Sequence, residues 1–137
     1  MTIELLVNID VDDLARAERF YCEALGLSVG RRFGDGFVEL LGACAKLYLL
    51  AKSAGSAIAP GAARTRNYDR HWTPVHLDIV VSDLDAAVRR AVAAGARPEG
   101  EVREGAYGRI AQFADPFGHG FCLIEFNEQG YDAIATT

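Results

Sequence analysis

The sequence predicts an α+β protein built from two tandem βαβββ modules. Three observations predict it. The chain repeats itself, each copy opens on a two-residue alternation that runs into an amphipathic helix, and three short strand-like runs follow each helix. The repeat is direct: Val7-Asn8-Ile9-Asp10-Val11-Asp12-Asp13-Leu14-Ala15-Arg16-Ala17 aligns without gaps on Leu77-Asp78-Ile79-Val80-Val81-Ser82-Asp83-Leu84-Asp85-Ala86-Ala87, at a constant offset of 70 residues. Such internal similarity marks two copies of one supersecondary unit. One step upstream the copies part, with Leu6 where the second copy has His76.

Residues 5–11 place Leu5, Val7, Ile9 and Val11 on one face and Leu6, Asn8 and Asp10 on the other, the period of a half-buried strand. In the second copy Leu77, Ile79 and Val81 share one face, and His76, Asp78 and Val80 the other. Asp12 and Ser82 are the expected helix starts, with Asp83 and Asp85 favouring the positive helix end. Leu14, Ala17, Tyr21, Ala24 and Leu25 form one apolar stripe, and Leu84, Ala87, Val88, Ala91 and Val92 its counterpart. Gly26 and Gly95 should end the helices. Strands are then expected over residues 28–33, 37–41 and 46–51, and over 99–104, 109–114 and 120–126, with turns at 34–36, 42, 105–108 and 115–118. The partition is one domain: module one 3–52, linker 53–73, module two 74–126 and tail 127–137. The first half of the linker reads as a flexible connection, and its second half gathers Arg64, Arg66, Tyr68, Arg70, His71 and Trp72. The tail packs through Tyr131 and Ile134 or frays.

Composition bounds the function. A chain of 137 residues can bury a real core. A net charge of −5 argues against nucleic acid as a partner. Apolar runs fall far short of the roughly 20 residues of a membrane helix, so no membrane partner is expected. The amino terminus lacks a basic region and an apolar signal core, which makes the cytoplasm the expected location. Cys22, Cys44 and Cys122 match neither a disulfide framework nor a zinc motif.

Three segments carry a family resemblance: residues 81–87, residues 20–27 and Asp115-Pro116-Phe117-Gly118-His119-Gly120-Phe121-Cys122-Leu123-Ile124-Glu125. With the two βαβββ modules they resemble the vicinal oxygen chelate superfamily, which includes glyoxalase I, bleomycin-resistance proteins and extradiol dioxygenases. The resemblance implies curved mixed sheets around a concave pocket, helices on the convex side, and a homodimer. It also implies metal-ligand positions on the first and last strand of each module, which here read Leu6, Leu50, His76 and Glu125. Two of these can bind metal and two cannot, which is too few for the three protein ligands of a catalytic zinc site. The expected function is therefore a metal-independent small-molecule-binding protein of the glyoxalase/bleomycin-resistance type, with no cofactor and no assigned catalytic residue.

The resemblance implies that His76 and Glu125 sit on neighbouring strands, either as a self-satisfied hydrogen-bonded pair or as polar contacts to a ligand. Asn8 and Asp78 are expected to help orient an apolar or aromatic ligand, with a cationic compound also tolerated. Tyr48 and Phe121 are candidate aromatic walls, and Trp72 is a candidate lining residue or an anchor for the linker. His119 reads as a solvated loop residue, and Cys22 and Cys122 as core. The alternative is a metal-dependent glyoxalase-like lyase or isomerase, or an extradiol-type dioxygenase. There His76 and Glu125 hold Mn, Fe, Ni or Zn with a noncognate third ligand, Glu39 being the first candidate.

Overall fold

The structure, a computed structural model, describes residues 2–137. The chain forms two compact units, the first ending at Asp69 and the second beginning at Arg70. The expected linker is thus divided, with residues 53–69 in the first unit and 70–73 in the second.

In the first unit, β1 (Leu6–Val11) leads into α1 (Leu14–Leu25), followed by β2 (Ser28–Phe33), β3 (Phe37–Leu41) and β4 (Lys46–Ala51). The sheet order is β1-β4-β3-β2, with β1 parallel to β4 and the other pairs antiparallel. The α1 stripe buries Ala17, Phe20, Tyr21 and Ala24, and the sheet contributes fully buried Val11, Val38, Leu40 and Leu49. Glu18 of α1 grips Arg32 of β2 at 2.8 Å, which marks the helix-bearing face of that strand. The cap is Asp13, one residue later than the expected Asp12, because Asp13 holds the extended backbone from which its carboxylate accepts the Arg16 N–H at 3.0 Å. Residues 53–69 form an ordered loop. Arg66 ties it to Asp10 at 2.7 Å and to the Ala57 carbonyl, and the Tyr68 hydroxyl donates to the Lys52 carbonyl at 2.5 Å.

In the second unit, β5 (Leu77–Val80) precedes α2 (Leu84–Ala94), β6 (Arg97–Pro98), β7 (Arg103–Gly105), β8 (Gly108–Ala114) and β9 (Gly120–Phe126). The order is β5-β9-β8-β6, with β5 parallel to β9 and β7 pairing β8. The strand expected over 99–104 is thus two short pieces either side of a break containing Gly100, whose φ is 95°. Asp83, not Ser82, caps α2 by accepting the Ala86 N–H at 3.1 Å. The core gathers Leu84, Ala91, Ala111, Phe113, Phe117, Phe121 and Leu123. The β8–β9 turn is built around Asp115, fully buried, which accepts the N–H groups of Phe117 and His119 at 2.8 Å. The tail packs, with Tyr131 edge-on to Phe126 at 4.7 Å and to Tyr107 at 5.9 Å.

Candidate ligand-binding site

Along β5 and the residue before it, alternation puts His76 and Asp78 on the face without a helix. The register sets Asp78 opposite Cys122, and Gln112 of β8 opposite the same Cys122, so these residues share that face. His76 Nε2 lies 3.3 Å from Asp78 Oδ1. The ligand atoms of His76, Asp78 and Cys122 lie within 4.8 Å of one another, the one such group of three among the described residues. Burial first, then the Asp78 carboxylate, pushes the Cys122 thiol up to about 12. Cys122 is therefore a neutral hydrogen-bonding thiol rather than a nucleophile.

Trp72 forms a wall beside this group. A Cβ added at Gly120 would lie 2.6 Å from Trp72 Cδ2, so the bare glycine backbone is the seat of the indole. The ring stands edge-on to His76, with centroids 5.1 Å apart and planes at 78°. Its Nε1 donates to Glu99 at 3.1 Å, and the Arg70 guanidinium, itself forked onto Glu99, lies 4.6 Å over the ring. The segment carrying Trp72 is fastened to the β8–β9 turn: His71 N–H donates to the Gly118 carbonyl, and Gly120 N–H to the His71 carbonyl, both at 2.9 Å. The imidazoles of His71 and His119 meet at 2.7 Å in an exposed contact, so the loop residue His119 also helps fasten this segment. Burial, then His119 and Arg70, holds His71 below its ordinary value.

The structure does not bring His76 and Glu125 together. Val80 stands opposite Ile124, so Glu125 lies beyond the far end of β5 from His76. Its carboxylate accepts the Leu84 N–H at the start of α2 at 2.7 Å and pairs with Arg109 at 3.3 Å, on the helix-bearing face. The equivalence of Leu50 with Glu125 is off by one residue. Leu50 stands opposite Asp10 as Ile124 stands opposite Val80, and a one-residue slip turns a side chain to the other face. Phe121 shares that face and stacks on Phe113 at 5.5 Å, so it is core rather than wall.

In the first unit the positions equivalent to His76, Asp78 and Cys122 hold Leu6, Asn8 and Tyr48. Leu6 is half exposed. A bulge in β2 sets both Gly30 and Arg31 opposite Glu39. Arg31 grips the buried Glu39 carboxylate through Nε at 3.2 Å and Nη2 at 2.6 Å, and the Tyr48 hydroxyl donates to it at 2.8 Å. Both Glu39 oxygens are thus engaged, and Glu39 offers no open ligand position. The Arg31 guanidinium holds the Glu39 carboxyl at about 2, below its ordinary 4.5. A carboxyl lowered on folding adds stability above its unfolded value and loses it as pH falls through the folded value. Urea unfolding should accordingly show wild type more stable than Arg31→Ala at pH 7, with the gap closing as pH drops from 4.5 towards 2. A gap independent of pH would contradict this.

Sequence reasoning passed over Arg31, Gln112 and Gly120; Cys122 is buried as expected, and it also stands level with Asp78. The signal for Cys122 was available in the parallel pairing of the first and last strands, which puts it level with Asp78. A shallow hollow over α1, lined by Glu18, Arg19, Cys22, Glu23 and Arg32, lies on the opposite face of the first unit from Glu39, and its Glu18 and Arg32 charges satisfy each other.

The glyoxalase-like domain family matches residues 6–124. The anthracycline biosynthesis protein DauV of Streptomyces sp. strain C5 is 32% identical over 130 residues, covering 94% of this chain and 43% of DauV. The chain spans less than half the length of the curated relatives it matches. Among solved structures, TnmS3, an antibiotic binding protein from Streptomyces sp. CB03234, superposes with a TM-score of 0.64 at 23% identity, covering 93% of this chain and 97% of TnmS3. A variant of the fosfomycin resistance protein FosX from Listeria monocytogenes, in complex with Mn(II) and a dihydroxypropylphosphonic acid, superposes with a TM-score of 0.71 at 17% identity, covering 94% of each chain. The βαβββ repeat, its strand order and the extent of the family match lead to one conclusion: the chain belongs to the glyoxalase-like domain family of the vicinal oxygen chelate superfamily.

Proposed function

We propose that this protein binds a planar, largely apolar small molecule without a metal, on the helix-free face of its second unit, with Trp72 as the stacking wall and the His76–Asp78 pair orienting the ligand's polar edge. The observation that carries the reading is the seating of Trp72: an indole fixed by Glu99 and Arg70, set over a bare glycine and edge-on to a histidine. A rigid aromatic surface beside a few convergent polar groups is the usual make-up of a small-molecule site. The roles of DauV and TnmS3, anthracycline biosynthesis and antibiotic binding, favour a polycyclic aromatic ligand.

Metal independence rests on the donors. The Mn(II) in the FosX complex belongs to the cations that prefer carboxylate, carbonyl and water oxygen. Here the last-strand positions facing the helix-free side hold Cys122 and Tyr48, and the first-strand position of unit one holds Leu6. Cys122 is buried beside Asp78 and would have to give up its proton to ligate any ion. Within the second unit the last-strand donor beside His76 and Asp78 is thus a thiol, which does not fit the oxygen-rich site of a manganese-type cation. The competing reading, a lyase, isomerase or dioxygenase, draws on the His76, Asp78 and Cys122 group holding a softer ion such as zinc. The homodimer belongs to the same proposal, supported by exposed Leu5, Leu6, Val75 and Val80 on or beside the edge strands β1 and β5. A monomer in sedimentation equilibrium would remove it.

Trp72 is the one tryptophan of the chain, so its fluorescence reports on the site directly. Titration with tricyclic and tetracyclic quinones should give saturable quenching that weakens in His76→Ala. Absence of saturable quenching across neutral, anionic and cationic members would overturn the proposal.

A further inference from the structure

We infer that the helix-free face of the first unit recognises an aromatic group bearing an ionised oxygen acid, with Arg31 taking the anion and Phe37 the ring. Its residues all belong to the first unit. The bulge in β2 turns Arg31 onto Glu39, whose side chain is 4% exposed while that of Arg31 is 64% exposed. The carboxylate is sealed beneath and the cation faces outwards. Space for this is reserved at Gly30, where a Cβ would lie 2.5 Å from Glu39 Oε1.

The guanidinium is pinned along one edge. Nε and Nη2 are spent on Glu39 and on the Tyr48 hydroxyl at 3.4 Å, whereas Nη1 has no acceptor among the described residues. A planar fork fixed by its other nitrogens loses little freedom on taking a further acceptor. Aromatic surface lies beside it: Arg31 Cζ is 5.4 Å from the Phe33 centroid, and Phe33 stacks on Phe37 at 4.2 Å and 14°. Phe37 and Leu41 on the same strand face each remain 36% exposed. An ion pair serving only stability needs no open aromatic stack at its rim. A fixed cation edge next to exposed rings fits an aryl carboxylate or an ionised phenol, and disfavours an aryl ammonium.

The test is NMR titration of the labelled 137-residue chain with 2-naphthoate, neutral 2-naphthamide and the 2-naphthylmethylammonium cation. Naphthoate should shift the Arg31 Nε–H and the Phe33 and Phe37 ring signals saturably, and bind at least about ten-fold tighter than naphthamide. The Arg31→Gln/Glu39→Gln double variant, which removes both charges together, should lose that preference. Phe37→Ala, at an exposed position, should weaken both ligands by the same factor and stands as the second variant should the double variant fail to fold. Equal binding of the amide or the ammonium at these signals would overturn the inference, as would a preference retained in the double variant or no naphthoate binding here. Shifts confined to the Trp72 indole would overturn it while leaving the second-unit reading standing.

Discussion

A Trp72→Ala variant is expected to bind its aromatic ligand at least about 30-fold more weakly than wild type, the loss typical of removing a well-packed tryptophan anchor. The readout is calorimetry, since the variant lacks the fluorophore. Gly120→Ala tests the same seat without removing the indole. Its new Cβ would meet Trp72 Cδ2 at 2.6 Å and Arg70 Nη1 at 2.8 Å, so the ring must leave its place. It should reproduce most of the affinity loss together with a red shift of Trp72 emission. Unchanged affinity in both variants would take the ligand away from Trp72.

The largest expected loss of stability is at Gly108. Its φ is +139°, and an added Cβ would lie 2.0 Å from the Glu125 carbonyl oxygen, a backbone atom fixed in the β8–β9 ladder. Gly108→Ala combines a backbone conformation that side chains rarely adopt with a clash that no rotamer relieves, and should cost about 3 kcal/mol, lowering Tm by about 10 °C. Gly34→Ala is the matched control. Its φ is +59° with nothing within 4 Å of the new Cβ, so only the left-handed backbone penalty of about 1 kcal/mol applies. Equal losses in the two variants would remove the steric argument.

Most of the fold was legible because alternation and turn chemistry are local. The strands Ser28–Phe33, Phe37–Leu41 and Lys46–Ala51 lie where those signals put them. The helix starts moved by one residue because two candidate caps are adjacent in each copy, and only backbone geometry selects Asp13 and Asp83. The site was legible in part. His76, Asp78 and Trp72 come together, whereas Glu125 and Phe121 turn to the helix-bearing face. Their faces depend on aligning β4 with β9 across loops of unequal length, and an error of one residue inverts every side chain. Arg31 was not legible, since a bulge that points two successive residues at Glu39 leaves no mark in a two-residue alternation.

The most direct test of the central claim is ligand binding measured on wild type and His76→Ala before and after chelator treatment, with the metal content of each sample determined by mass spectrometry after reloading with Mn, Fe, Ni or Zn. A metal-independent site predicts far less than one equivalent of any ion per chain and a ligand affinity that chelation leaves unchanged. About one equivalent of zinc, lost in His76→Ala and required for ligand binding, would contradict that claim and make the His76, Asp78 and Cys122 group a metal centre.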